Sequence, residues 1–361
     1  MKNNFKNHSG QKLWRKAKKI IPGGSQLLSK RAEMLLPELW PSYYSKAKGV
    51  EIWDLDGRKY IDMGRMAVGA CVLGYADPDV NKAVKMAVDN GSISTLNPPE
   101  DVELAELLIK IHPWADMVRY ARTGGEGMGV AVRIARAYTG RDVIAFCGYH
   151  GWLDWYLATN LGTPNALKEH LLEGLKPKGV PSGLRGTVLP FRYNQIEELE
   201  AIVQHAGKNL AAIVMEPIHN EEPKNSFLQK VRKIADKSGA VLVFDEVSIG
   251  WKLAYGGAHL KYKVNPDIAV FSKTLSNGFP MAAIIGREKV MQAAQESFIS
   301  SSYWTDRIGP AAALATVKKM KRLNLPKIIE RLGKQMREEW TRAAKKYGLE
   351  IKIFGTYPYN L

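Results

Sequence analysis

Cysteine is almost missing from this chain: Cys71 and Cys147 are the two among 361 residues. Two thiols cannot build a disulfide framework, and neither sits at a metal-ligand spacing, so a reducing, cytoplasmic setting is the expectation and no metal centre is expected. Long apolar runs are missing as well. Residues 1–10 (MKNNFKNHSG) are basic but lead into more charge, which reads against a signal peptide. No stretch approaches the about 20 apolar residues that a membrane span needs. Low-complexity tracts and solenoid-period repeats are lacking too, and 45% hydrophobic with 24% charged residues is an ordinary globular composition. Acidic residues are the scarcer charge, with 36 Asp and Glu against 52 Lys and Arg and a formal net charge of +16. Residues 1–48 alone hold 11 Lys and Arg, with Glu33 and Glu38 as their acids. No zinc-finger spacing or RNP-like aromatic motif accompanies this excess. It reads as a solvated basic surface that favours anionic small molecules, and no nucleic-acid partner is expected.

What is present is an alternation of two patterns. Residues 142–147 (DVIAFC), 210–215 (LAAIVM), 240–244 (AVLVF) and 267–271 (DIAVF) are near-continuously apolar, as buried parallel strands are. Amphipathic stretches at 195–205 and 226–238 lie between them. Alternating β and α segments predict an α/β architecture around a mostly parallel central sheet with helices on both faces. The front of the chain differs. Residues 8–20 read as a helix that ends at Pro22-Gly23-Gly24, and 49–63 alternate about Asp56-Gly57, a hairpin signal. Helices are expected again at 287–295 and 325–347, and a strand at 349–354 (LEIKIF).

Ligands of open parallel sheets gather at the carboxyl ends of the strands. Four of the apolar runs deliver polar residues there: Asp245-Glu246-Val247, Ser272-Lys273-Thr274, Gly148-Tyr149-His150-Gly151 and Glu216-Pro217. Singly, each has an ordinary explanation, since an Asp after a strand commonly caps a helix and a Lys there is commonly solvated. Together they suit a pyridoxal 5′-phosphate site, which needs a lysine for an aldimine and a carboxylate to keep the pyridine nitrogen protonated. It also needs a flat group on the ring and a cradle for the phosphate. The glycine-rich Arg122-Thr123-Gly124-Gly125-Glu126-Gly127 precedes an amphipathic helix at 128–138, and free amides at a helix start favour phosphate. The stretch matches neither G-x-G-x-x-G nor the P-loop pattern, which demotes dinucleotide and NTPase readings.

Residues 243–250 (VFDEVSIG) followed by 267–286 (DIAVFSKTLSNGFPMAAIIG) resemble the core signature of class-III aminotransferases, in which D-E-V precedes K-x-x-x-x-G-x-P. Residues 123–127 resemble the family's S-G-[TS]-E-A phosphate loop, Tyr149-His150-Gly151 its Y-H-G block and Glu216-Pro217 its E-P block. The likeness runs from about residue 12 onward, and Pro22-Gly23-Gly24 is most similar to the glutamate-1-semialdehyde 2,1-aminomutase branch. The resemblance implies the aspartate-aminotransferase-like fold type I: an N-terminal segment (1–63) contributing to a small α+β domain, a large cofactor-binding domain (64–290), and a linker helix with the rest of the small domain (291–361). It implies Lys273 as the aldimine lysine and acid/base, with Asp245 on the pyridine nitrogen and Val247 and Tyr149 on opposite ring faces. Thr123, Gly124 and Gly125 would hold the phosphate, with His150 and Glu216 beside the cofactor. Thr305 would reach the cofactor of a partner subunit, so a homodimer is expected.

Three features depart from the family pattern. The phosphate loop lacks one hydroxyl, Gly23–Lys30 replaces the usual G-G-V-N-S-P-V-R, and the small domain looks incomplete at Leu361, as in a truncated product. The expected activity is amino transfer between a small-molecule amino donor and a carbonyl acceptor. Likeness to aminomutase-like proteins points to surface-polysaccharide biosynthesis. The alternatives are an intramolecular aminomutase and a truncated, non-catalytic relative.

Overall fold

The structure, a computed structural model, describes residues 8–162, 166–167, 176–218 and 220–357. The described residues begin with helix α1 (Ser9–Ile20) and a three-stranded antiparallel sheet of β1 (Tyr44–Lys48), β2 (Glu51–Asp54) and β3 (Lys59–Ile61). The β2–β3 hairpin turns at the expected Asp-Gly pair, where Gly57 takes a φ of 80° that a side chain would resist. The carboxylate of Asp54 closes the turn by accepting the backbone N–H groups of Asp56 and Arg58 at 3.0 and 2.9 Å.

Helices α2 (Pro78–Asp89) and α3 (Pro99–Ile111) lead into a seven-stranded sheet of order β4-β10-β9-β8-β7-β5-β6. Its strands are β4 (Met117–Ala121), β5 (Val143–Cys147), β6 (Val188–Pro190), β7 (Leu210–Met215), β8 (Val241–Asp245), β9 (Ile268–Phe271) and β10 (Ala282–Gly286). The run β9-β8-β7-β5-β6 is parallel, and β10 is antiparallel to both of its neighbours. Every residue of β5, β7, β8 and β9 is buried, which explains why these strands read as continuous apolar runs. Burying each Val, Leu, Ile or Phe side chain contributes about 1.5–3 kcal/mol, so the sheet centre is the most strongly fixed part of the molecule.

One sheet face is covered by α4 (Gly124–Thr139), whose Met128, Val130, Ala131, Ile134 and Ala135 join Ile144, Val214, Val243 and Val270 in a common core. The other is covered by α5 (Ile196–Ala206) and α6 (Phe227–Ser238), through Leu199, Phe227, Leu228 and Val231 against Ile213, Leu242 and Phe244. Helices α7 (Ile308–Leu323) and α8 (Leu325–Tyr347) follow, α7 packing on α2 and α3. The expected α/β layers and mostly parallel sheet are thus present.

Two expectations fail. Residues 349–354 form no strand: they run irregularly with Leu349, Ile351 and Phe354 exposed, because among the described residues no neighbouring strand offers the ladder that such a segment needs. Residues 287–295 form one α turn (Glu288–Met291) and a tighter turn (Gln292–Glu296) instead of a continuous helix.

Candidate active site

The parallel strands bring four polar loops to one edge. In sheet order they are Ser272-Lys273 after β9, Asp245 at the end of β8, Glu216 after β7 and Gly148–Gly151 after β5. Asp245 is buried and its carboxylate has two fixed partners. His150 meets Oδ2 through Nδ1 at 2.8 Å, and the Val247 N–H donates to Oδ1 at 2.9 Å. His150 is held in turn by the Cys147 carbonyl, 3.1 Å from Nε2, and by stacking on Trp155 with ring centroids 6.2 Å apart. Burial pushes the Asp245 carboxyl up from its ordinary value, while the His150 hydrogen bond and charge pull it back.

Lys273 lies in the next loop, in a left-handed backbone conformation with φ of 42°. For a residue with a side chain this stores about 1–3 kcal/mol and survives only where the surroundings impose it. Here they do, since the Ser272 hydroxyl donates to the Met281 carbonyl at 2.8 Å and Leu275 N–H to the Ser272 carbonyl at 2.9 Å. The Lys273 amine donates to the Ser248 hydroxyl at 2.6 Å. Burial lowers its pKa from the ordinary lysine value, and the negative charges of Asp245 and Glu216 act the other way. An amine with a depressed pKa beside a buried carboxylate is suited to attack a carbonyl and to move protons.

The anion cradle is built more sharply than its sequence suggests. The expected loop before residue 128 is already the first turn of α4. Thr123 caps the helix, its hydroxyl accepting the Glu126 N–H at 3.3 Å, while the Glu126 carboxylate accepts the Arg122 and Thr123 N–H groups at 3.1 and 2.8 Å. This capping box leaves the N–H groups of Gly124 and Gly125 at the first helical positions, where no intrahelical acceptor exists. Gly124 and Gly151 are needed for close approach. A methyl on Gly124 would stand 2.7 Å from Val247 Cγ1, and one on Gly151 3.1 Å from the Gly125 Cα. Gly124 and Val247 are thereby fixed against each other, and the Thr123 hydroxyl keeps its proton for a further acceptor.

Tyr149 is 45% exposed and packs edge-on against Tyr156, with ring centroids 6.1 Å apart. Burial and the nearby Asp245 charge push its phenol up. The buried Glu216 accepts the Tyr149 N–H at 3.4 Å, joining the loops that follow the paired strands β5 and β7. Thr305 is exposed, and its hydroxyl donates to the Ser302 carbonyl at 2.9 Å. Its neighbour Asp306 pairs with Arg122 just ahead of the cradle. Lys273, Asp245, His150, Val247, Tyr149, Glu216 and the residues 123–125 are thus brought to one end of the sheet, while Thr305 lies on the surface.

Two residues escaped the sequence reading. Ser248 receives the Lys273 amine, and the buried Lys252 donates to the Ser248 carbonyl at 2.8 Å. Burial, the Lys273 charge and the Arg65 charge bring the Lys252 amine down to about 7. Both residues lie within ten positions of Asp245, but nothing in their spacing marks them as site residues. Glu246, read at the strand end beside Asp245, accepts from the Ala258 N–H, the His259 N–H and His259 Nδ1 at 2.9, 2.9 and 2.8 Å. It ties the segment after β8 to residues 258 and 259.

Comparison with known proteins identifies the family. Residues 37–356 match the family model described as Aminotransferase class-III. A 3-aminobutyryl-CoA aminotransferase of Cloacimonas acidaminovorans (strain Evry) is 29% identical over 351 residues, covering 95% of this chain and 80% of that protein. A glutamate-1-semialdehyde 2,1-aminomutase of Hyperthermus butylicus is 32% identical over 350 residues, covering 94% of this chain and 80% of that protein. Among solved structures, the FumI protein of Sphingopyxis sp. MTA144 in its PLP internal aldimine form superposes with a TM-score of 0.86 at 27% identity. It covers 97% of this chain and 82% of that one. An omega-transaminase from Sphaerobacter thermophilus superposes with a TM-score of 0.83 at 26% identity, covering 97% of this chain and 81% of that one.

Proposed function

This chain belongs to the class-III aminotransferase family, and from that premise we propose that it moves an amino group from a small-molecule donor to a carbonyl acceptor, with Lys273 as the central base. The family's cofactor is pyridoxal 5′-phosphate. The residues present fit that group: the glycine contact with Val247 leaves no room for a side chain, and the amides of Gly124 and Gly125 sit where a helix end favours a phosphate. When bound, the cofactor supplies an electron-accepting ring that stabilises the negative charge left by loss of a proton from the substrate carbon.

In this reading the Nζ atom of Lys273 would hold the cofactor, and the freed amine would take the proton from the substrate carbon and deliver it to the carbon of the cofactor that it had held. Asp245 keeps the ring nitrogen protonated through its carboxylate, which His150 orients at 2.8 Å. Thr123, Gly124 and Gly125 would bind the phosphate, Tyr149 and Val247 would flank the ring, and Glu216 would stand beside the cofactor. Thr305, exposed on this chain, completes the phosphate site of a second copy, which makes the working form a homodimer. The observation that carries the proposal is the convergence of a partly buried lysine, a His-bound aspartate and a capped helix start at the ends of β9, β8 and β4, on one edge of the sheet. The acceptors to offer first are carbonyl sugars of surface-polysaccharide assembly.

Similarity to aminomutases at 32% identity favours a second reading, return of the amino group to a neighbouring carbon of the same molecule. Tracing a nitrogen-15 label separates the two. Label transferred from an amino donor to a different acceptor molecule supports transamination. Label that stays within one substrate and changes carbon supports the mutase, and no transfer in either format refutes both.

A further inference from the structure

We propose that Ser248 is a positioning residue for the Lys273 amine, holding it in one pose whether charged or neutral; this rests on the reading of Lys273 as the cofactor lysine. The geometry that carries it is direct. Ser248 lies in the turn after β8, where Gly250 N–H returns to the Glu246 carbonyl at 2.8 Å. A serine in such a turn ordinarily bonds to the local backbone. Here its hydroxyl is met at 2.6 Å by Nζ of Lys273, 25 residues away in sequence. Its own carbonyl is tied at 2.8 Å by the buried Lys252, so the hydroxyl is presented from an anchored residue. Lys273 approaches from an equally constrained backbone, with φ of 42° and the preceding Ser272 locked to Met281.

A hydroxyl is the group that serves both states of an amine. It accepts from the ammonium and can turn its own proton toward the lone pair of the neutral form. A flexible four-carbon side chain that must be free in one step and attached in another loses time to rotamer search unless its free state is held near the reacting atoms. The neighbouring Val247 faces Gly124 of the cradle, so Ser248 places that parked amine one residue from the cofactor wall. The bond to the ammonium is charge-assisted and is the stronger of the two, so Ser248 also offsets part of the burial that depresses Lys273.

The test compares Ser248→Ala and Ser248→Thr with the unaltered protein by competitive acetylation of the Lys273 amine across pH, read by mass spectrometry in the cofactor-free chain. Ser248→Ala should lower the labelling midpoint by about 0.5–1 pH unit, and Ser248→Thr should restore it. In the loaded enzyme, Ser248→Ala should lower kcat about tenfold with KM within about twofold, and Ser248→Thr should recover most of the rate. An unchanged labelling midpoint in Ser248→Ala overturns the proposal. Should that variant fail to fold, Ser248→Cys, whose thiol accepts weakly, provides the same comparison. Failure of the unaltered chain to bind pyridoxal phosphate through Lys273 would instead refute the functional reading, and the labelling result stands apart from it.

Discussion

Replacing Gly124 by alanine tests whether the cradle and the ring wall are one mechanical unit. The added methyl would stand 2.7 Å from Val247 Cγ1, 3.1 Å from Cγ2 and 3.5 Å from Ser272 Cβ. Ordinary carbon contacts lie at about 3.5–4.0 Å, so the first overlap approaches about 1 Å. Valine is stiff about χ1, and rotation cannot relieve both methyls at once. The strain should cost about 1–3 kcal/mol, either as lost stability or as displacement of Val247 toward the cofactor ring. Taken up wholly at the cofactor, that cost weakens pyridoxal phosphate binding by about 5- to 150-fold. Gly125→Ala is the matched control, because its methyl would meet Trp152 Cδ1 at 3.8 Å, an ordinary contact. Both changes gain a similar increment of helix propensity, so their difference isolates the overlap. Urea unfolding and cofactor titration on the two variants decide the matter. If Gly124→Ala matches Gly125→Ala in both, the close packing of Val247 on the cradle is wrong.

Asp245→Asn should retain the shape of the site and the Val247 N–H bond yet lose the charge, lowering the amino-transfer rate by about a hundredfold or more in single-turnover kinetics while the protein still binds cofactor. Lys252→Met makes a pH-dependent prediction. Burial lowers this amine from 10.5 to about 7, so below the lower value both states carry the charge but only the folded protein holds it away from water. That penalty is roughly 3–5 kcal/mol at most, is fully present below pH about 7, and fades as pH rises toward the unfolded value. Lys252→Met should therefore raise stability most near pH 6, less the lost bond to Ser248, and the gain should shrink between pH 7 and 10. A gain independent of pH would contradict the burial of a titrating amine at this position.

The central sheet was legible because its strands are buried on both faces and so read as unbroken apolar runs, as residues 210–215 do. The residues at the strand ends were legible from the resemblance and the rule that ligands gather there. The start of α4 was harder, because two glycines read as a loop, although Thr123-Gly124-Gly125-Glu126 is itself a capping-box pattern. The 95-residue separation between His150 and Asp245 hid their hydrogen bond, which no local periodicity encodes. Ser248 and Lys252 were invisible for a related reason: their meaning lies in the Lys273 loop, brought alongside by the pairing of β8 with β9. The strand expected at 349–354 shows the converse, since strand-like composition does not make a strand where no ladder partner lies alongside.

The most direct test of the account is the visible absorbance of the purified protein on adding pyridoxal 5′-phosphate, compared with Lys273→Ala. The unaltered chain should develop the band of a lysine-linked cofactor, and reduction with borohydride followed by peptide mapping should place the label on Lys273. Lys273→Ala should show only the spectrum of free cofactor. A band that persists in Lys273→Ala, or a label on another lysine, would contradict the account at its centre.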